Sequence, residues 1–182
     1  MNGFYLAIGK QGSGKTAFIT KALYDNFEMG MKVYSNYTLL KMTYKEIGAN
    51  CYKHIDLEKI LDMLDNNVNA LNDSIILLDE IHIYLDSLDF MRKNNRRLQK
   101  FFSQLRKRNI LLLGTAQYIM NVDVRIRRQC MNVFEMEHIY KNLFKVLTWS
   151  MYDGWQDEVL REDHFDLSTY YDKYNTYEVI DH

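Results

Sequence analysis

The chain has 182 residues, of which 47% are hydrophobic and 26% are charged, and its formal net charge is −1. This composition is ordinary for one folded domain with a full core, and the small net charge means that any nucleic-acid binding must come from a local basic patch. The two cysteines, Cys51 and Cys130, lack metal-ligand spacing, so we expect reduced thiols. No apolar run approaches the roughly 18 residues that predict a transmembrane helix, and a strand at the N-terminus argues against a signal peptide.

A glycine-rich loop follows the first predicted strand. The apolar run 4–8 predicts a buried parallel strand, and an amphipathic helix is predicted from Lys15 to Phe27. Between them the sequence fits the phosphate-binding pattern G-x-x-x-x-G-K-S/T, in which glycines let backbone N–H groups point at phosphate oxygens. Lys15 would reach the β- and γ-phosphates of ATP, and the Thr16 hydroxyl would bind Mg²⁺. The predicted nucleotide-binding residues are Gly9, Lys10, Gln11, Gly12, Ser13, Gly14, Lys15, Thr16 and Ala17.

A second chemical landmark lies at the end of a later apolar run. A strand is predicted at 31–37 and a helix after an Asp56 N-cap, whereas 38–55 gives no clear pattern. The run 74–78 then predicts a central parallel strand that ends at Asp79 and Glu80, at the sheet edge where ligands bind. We expect Asp79 to hold Mg²⁺ and Glu80 to deprotonate the attacking water, although Glu80 could instead be only an acid at a helix start.

The segment from Arg92 to Arg108 carries basic charges and no acidic residue. Its apolar residues recur at helical spacing, which predicts a single helix through residue 108 with one buried face and one basic face. Three interpretations stay open for the basic face: a solvated surface, contacts to nucleic-acid phosphates, or an arginine donated to a neighbouring subunit's ATP. Arg108 is preferred over Arg106 for that last role, because the helical pattern places Arg108 on the polar side and Arg106 beside the buried stripe.

The remaining sequence predicts three more strands and an acidic tail. The run 110–117 predicts a buried strand that ends at Gln117, and a basic cluster follows at 125–128. Residues 130–136 and 143–149 predict a hairpin. The division predicted for the chain is an ATPase core at 1–152 and an acidic, tyrosine-rich extension at 153–182 that packs on the core or on a neighbour.

The order of these motifs resembles the FtsK–HerA superfamily of DNA-pumping ATPases, and within it the Zot-type proteins and small viral genome-packaging ATPases. The motifs are GKQGSGKT, the Ser-Asn after the second strand, IILLDEIH, the basic helix, and Thr-Ala-Gln followed by VDVRIRR. The resemblance implies an α/β fold of three α/β/α layers around a mainly parallel sheet, with the hairpin and tail added. It also implies that Gln117 senses the γ-phosphate from a strand between the phosphate-loop strand and the acid-bearing strand. Arg106 or Arg108 would be the arginine finger.

The function that this resemblance implies is ATP-driven packaging of double-stranded DNA into a viral capsid. The partners would be Mg²⁺, DNA bound through its phosphates without sequence preference, a homo-oligomeric ring (typically a hexamer), and a capsid or membrane protein. The expected location is the cytoplasm of the host cell, with association with the virion or procapsid as an alternative. The alternatives are a Zot-like phage assembly or export ATPase, a nucleotide or nucleoside kinase with the 125–128 arginines as a lid, and a non-enzymatic NTP-binding protein.

Overall fold

A computed structural model describes residues 2–40, 52–67, 69–86 and 88–176. Its strands are β1 (Gly3–Ile8), β2 (Lys32–Ser35), β3 (Tyr52–His54), β4 (Ser74–Leu78), β5 (Ile110–Ala116), β6 (Cys130–Tyr140), β7 (Leu143–Tyr152) and β8 (Trp155–Asp166). Its α-helices are α1 (Lys15–Asn26), α2 (Leu57–Asn66), α3 (His82–Asp86), α4 (Leu88–Gln104) and α5 (Val124–Arg127). Short 3₁₀ turns lie at Arg106–Arg108, Ile119–Asn121 and Ser168–Tyr170.

All eight strands form one sheet in the order β3-β2-β4-β5-β1-β6-β7-β8. The first six strands in that order pair in parallel, and β6, β7 and β8 pair antiparallel. The phosphate-loop strand β1 is therefore separated from the acid-bearing strand β4 by β5 alone, as the resemblance implied. The α/β fold with a mainly parallel sheet is confirmed.

The sheet is covered on both faces, which accounts for the continuous apolar sequences of its central strands. On one face α1 packs through residues such as Phe18 and Leu23 onto alternate strand residues. On the opposite face α2, α4 and α5 pack on the other set of strand residues. The predicted apolar stripe of the basic helix lies in this second core, where Leu98, Phe101, Phe102 and Leu105 are all buried.

Local signals fix several element ends. The Asp56 side chain accepts a hydrogen bond of 2.8 Å from the backbone N–H of Lys59, so Asp56 is the N-cap of α2 as predicted. Helix α1 ends at Asn26, one residue before its predicted end.

The Cys130 thiol is buried, and burial raises its pKa. Cys51 lies outside the described residues.

The prediction of one continuous helix through residue 108 is wrong. Helix α4 ends at Gln104, and the next residues form the 3₁₀ turn Arg106–Arg108. Asn109 then takes a left-handed conformation with φ 56°, and the Ile110 N–H donates to the Leu105 carbonyl at 2.9 Å. The chain reverses here because Leu105 and Ile110 are both buried while β5 runs back through the core. The helical argument that favoured Arg108 over Arg106 is therefore lost.

The predicted C-terminal hairpin is present as β6 and β7, and the acidic segment after it adds β8 to the same sheet. Farther along, Leu167 and Tyr174 are buried against the α1 face, and Tyr174 forms a bridge with Leu39. The division into 1–152 and 153–182 stays a prediction. Across the residues described, no helix combines the length and the apolar composition needed to cross a membrane.

Candidate nucleotide-binding site

The glycine-rich loop wraps closely around the C-terminal end of β1. Gly9 has φ 148°, and a Cβ built on it would lie 2.5 Å from the backbone oxygen of Met136 on the neighbouring strand β6. The Gly9 N–H donates to the Gln117 carbonyl at 3.2 Å, which ties the loop to the end of β5 as well. Only glycine fits this position, because both the dihedral angle and the contact exclude a side chain.

The start of α1 presents its first backbone N–H groups to an anion. Gly14, with φ 79°, precedes the helix and forms no side-chain cap, so the first backbone N–H groups of α1 keep their capacity to bind phosphate. A Cβ on Gly14 would lie 2.9 Å from the ring of Phe144 on β7. The buried Ser13 hydroxyl oxygen has no hydrogen-bond partner within the described part of the chain. The loop and helix start therefore form a compact donor-rich cradle.

Lys15 is folded into this cradle. Its side-chain Nζ donates to the carbonyl oxygens of Gly9 and Lys10 at 2.9 and 3.1 Å, and the residue is only 6% exposed. Burial lowers the pKa of Lys15, and the nearby carboxylates of Glu80 and Asp79 oppose that shift. The amine is thus a desolvated cation that lies among the groups predicted to contact ATP.

Asp79 is held from three sides. Thr16 Oγ1 donates to one carboxylate oxygen at 3.0 Å, and the Thr115 hydroxyl donates to the other. The Asn36 amide donates to the Asp79 carbonyl at 2.8 Å and accepts from the Asp79 N–H at 2.7 Å. Because hydroxyl and carboxylate oxygens are preferred by Mg²⁺, the Thr16–Asp79 pair fits a magnesium ion.

Asn36 and Thr115 hold Asp79 in place, although the sequence predicted no role for either residue. Both follow the pattern that identified Asp79, since each is a polar residue at or just beyond the C-terminal end of a buried strand. A polar residue there reaches the same edge once the strand order places β2 and β5 on either side of β4.

Glu80 begins a sharp turn. It takes a left-handed conformation with φ 49°, which is uncommon for a residue with a side chain, and its N–H donates to Thr115 Oγ1 at 2.9 Å. Glu80 Oε2 lies 3.3 Å from Nδ1 of His82, a contact that the sequence did not predict. The turn separates the directions of Asp79 and Glu80, so two adjacent carboxylates can take different roles.

Gln117 is exposed at the end of β5, beside the loop. It lies on the wall of a cleft of about 840 Å³ that opens between the glycine-rich loop and the β6–β7–β8 strands. The cleft is lined by Ile8, Gly9, Lys10, Gln11, Gly12, Ser13, Gln117, Tyr118, Ile119, Met120, Glu135, Met136, Glu137, His138, Lys145, Leu147 and Gln156. Of the predicted nucleotide-binding residues, Ala17 is instead buried in α1 and could offer only its backbone.

The two arginines that are candidates for the arginine finger lie at the N-terminal ends of the parallel strands, opposite the candidate nucleotide site. The turn Arg106–Arg108 precedes β5, whereas Gln117 follows it, and a seven-residue strand spans roughly 20 Å. The Arg106 side chain lies close to Gly3 at the start of β1, and the Arg108 guanidinium donates to the Gln104 side chain. The fold therefore separates both arginines from the phosphate loop of their own chain.

Comparison with known proteins gives one family and a set of similar folds. The model of the ATPase family associated with various cellular activities (AAA) matches residues 5–138. The N-terminal domain of zonular occludens toxin from Neisseria meningitidis is 16% identical with a TM-score of 0.68, covering 96% of this chain and 100% of that one. B204, the DNA-packaging ATPase of Sulfolobus Turreted Icosahedral Virus, is 16% identical with a TM-score of 0.54, covering 82% and 94%. The genome packaging NTPase B204 of Sulfolobus turreted icosahedral virus 2, in complex with ATP-gammaS, is 10% identical with a TM-score of 0.51, covering 82% and 92%. Comparison with curated protein sequences gives no match.

Proposed function

Because the chain belongs to the AAA family of ATPases, we propose that it uses ATP hydrolysis to move double-stranded DNA, as the genome-packaging ATPase of a virus. The observation that carries the proposal is the meeting of the glycine-rich loop, Asp79, Glu80 and Gln117 at the C-terminal edge of β1, β4 and β5. The structural likeness to B204, whose name describes a DNA-packaging ATPase, supports the choice of DNA packaging over other uses of ATP.

Phosphate binding would begin with a change of partner for Lys15. Its Nζ now donates hydrogen bonds to two backbone carbonyl oxygens of the loop. When ATP binds, it would donate instead to the β- and γ-phosphate oxygens. The N–H groups of the loop and of the first turn of α1 would surround the same phosphates. Thr16 and Asp79 would hold Mg²⁺, which supplies charge neutralisation of the phosphate oxygens when bound.

Hydrolysis would use Glu80 and Gln117 from adjacent strands. Glu80 would accept the proton of the attacking water, and Gln117 would orient that water or the γ-phosphate from the end of β5. His82, 3.3 Å from the Glu80 carboxylate, would help to keep Glu80 at the reacting edge. An arginine of a neighbouring protomer would complete the site, because Arg106 and Arg108 lie at the far edge of their own sheet.

The test is the ATPase rate of the full chain with and without double-stranded DNA, combined with displacement of the third strand from a DNA triplex. A DNA translocase should hydrolyse ATP faster with DNA and strip the third strand only when ATP is present. Hydrolysis that ignores DNA, or transfer of the phosphoryl group to a nucleoside acceptor, would reject the proposal.

A second candidate is a Zot-like assembly or export ATPase. It is favoured by the match to the complete N-terminal domain of zonular occludens toxin, with the higher TM-score of 0.68. The triplex experiment distinguishes the two, because an assembly ATPase that does not track along duplex DNA should hydrolyse ATP without displacing the third strand.

A further inference from the structure

Helix α4 and helix α5 come from separate basic segments of the sequence, and the fold packs them side by side on the face opposite α1. A cleft of about 510 Å³ opens between them. Four of its seven lining residues are cations, the other three are neutral and polar, and none is acidic or apolar: Arg96, Gln99, Lys100, Ser103, Arg125, Arg128 and Gln129. The fold has therefore concentrated positive charge in one concave surface of a chain whose formal net charge is −1.

The two walls of the cleft hold their cations differently. On the α5 side, Arg125 forms two side-chain hydrogen bonds of 2.9 and 2.8 Å to Asp123, and Arg128 Nε lies 2.7 Å from an Asp153 oxygen. Both acids lie outside the cleft lining, so they orient the guanidiniums and leave further N–H groups for a ligand. On the α4 side, Arg96 and Lys100 are one helical turn apart and exposed, and neither forms an ion pair with any residue that the structure describes.

The lining also indicates which ligand fits. The centre of a protein–protein interface is apolar and poor in charge, whereas protein–DNA interfaces are polar and strongly positive. This cleft has no apolar lining residue and offers cations together with neutral amide and hydroxyl donors, which suit phosphate oxygens. From this geometry we infer that the α4–α5 cleft binds successive phosphates of the DNA backbone, with Arg96 and Lys100 as its main contacts. The inference rests on the proposed function, since it identifies where that function's DNA is held.

The cleft is connected to the nucleotide edge through a short stretch of chain. The segment from Gln117 to α5 contains only the turn Ile119–Asn121 and a linker, and its residues Ile119 and Val122 are buried in the core. Because the cleft would contact phosphates and not bases, its binding to DNA should be largely independent of DNA sequence.

The experiment compares two double variants of the full chain that remove the same charge. Arg96→Gln/Lys100→Gln alters the cleft, and Lys53→Gln/Lys59→Gln alters exposed lysines on β3 and α2. Binding of a fluorescent duplex is measured by anisotropy over a series of salt concentrations. The slope of log K against log salt is negative, and each lost phosphate contact makes it less steep by about 0.9. The slope of the cleft variant should therefore be less steep than that of wild type by about 1.8, and the control should keep the wild-type slope. The single variant Lys100→Gln should lose about half as much.

Two outcomes overturn the inference: a wild-type slope in the cleft variant, and an equal loss of slope in the control variant. If the wild-type slope is accompanied by a smaller oligomer in light scattering, the cleft instead binds an acidic surface of a second copy of this chain. Basal ATPase activity without DNA should be unchanged in the cleft variant, which shows that it folds. The salt slope is measured from DNA binding alone, whereas failure of the proposed function would appear as ATP hydrolysis by the wild-type protein that does not respond to DNA. The two failures are therefore distinguishable.

Discussion

Asp79 and Glu80 are adjacent in sequence but differ in their surroundings. Both carboxylate oxygens of Asp79 accept hydrogen bonds, from Thr16 and Thr115. Among the residues that the structure describes, the Glu80 carboxylate has one close polar contact, with Nδ1 of His82 at 3.3 Å. A carboxylate that is already held in place suits a structural role at the metal, whereas the less constrained one can accept a proton.

The substitution Glu80→Gln should separate binding from turnover. Glutamine keeps the size of the side chain but cannot act as a base, so ATP affinity should stay near wild type while hydrolysis falls by roughly 10²–10⁴. Binding of a fluorescent ATP analogue and steady-state phosphate release measure the two quantities. Glu137→Gln, the same change at a carboxylate that lines the cleft beside the glycine-rich loop, should keep the wild-type rate. Hydrolysis at the wild-type rate by Glu80→Gln would show that Glu80 is not the base.

The substitution Lys15→Ala should abolish ATP binding without unfolding the protein. Lys15 is desolvated, and burial lowers its pKa, so the loss of this charge should leave the unfolding temperature close to that of wild type. The affinity for ATP should fall to an undetectable level, because the loop no longer supplies a mobile cation to the phosphates. Lys21→Ala removes a partly exposed lysine from the same helix and serves as the control. Normal ATP affinity in Lys15→Ala would contradict the assignment.

Individual residues were predictable where a local pattern carries the chemistry. The loop residues and Asp79 are identified as candidates because fixed spacing or an apolar run marks them. Asn36, Thr115 and His82 were not given roles because their importance depends on which strand ends meet, and local sequence does not give strand order. The position of β5 between β1 and β4 came from the resemblance to a known superfamily.

At the scale of elements, continuous burial made prediction straightforward and exposure made it difficult. The central strands β1, β4 and β5 are buried along their whole length and have the apolar sequences that this requires. Strand β8 is exposed over most of its length, so its charged sequence indicated only an acidic tail. The end of α4 was missed because its basic pattern continues beyond the point where the chain must reverse into β5.

The glycine-rich loop should tolerate a side chain at one of its glycines far better than at another. Gly9 and Gly12 both have positive φ, at 148° and 76°, and a left-handed conformation such as that of Gly12 costs an alanine about 1–2 kcal/mol. A Cβ at Gly12 has open space, whereas one at Gly9 would meet backbone of β6 at 2.5 Å. Thermal unfolding should therefore show a few degrees of loss for Gly12→Ala and a clearly larger loss for Gly9→Ala. Equal losses would show that the loop does not depend on its contact with β6.

Across the whole molecule, the residues predicted to act on ATP are divided between the two ends of the parallel strands. The loop, Asp79, Glu80 and Gln117 meet at the C-terminal edge of the parallel strands, and Arg106 and Arg108 lie at the opposite edge. A head-to-tail ring would bring one edge of a protomer to the other edge of its neighbour. The site of an isolated protomer would then lack its arginine.

Mixing two inactive variants tests this arrangement directly. Lys15→Ala protomers keep both arginines, and Arg106→Ala/Arg108→Ala protomers keep an intact loop. If the finger acts in trans, a co-assembled mixture should recover hydrolysis that neither variant shows alone, because an arginine supplied in trans is worth roughly 10³–10⁵ in rate. Lys107→Ala, in the same turn, is the control and should be active by itself. Full activity of a dilute wild-type monomer, or no recovery in mixtures that co-assemble, would count against a finger in trans and leave these arginines to DNA or solvent.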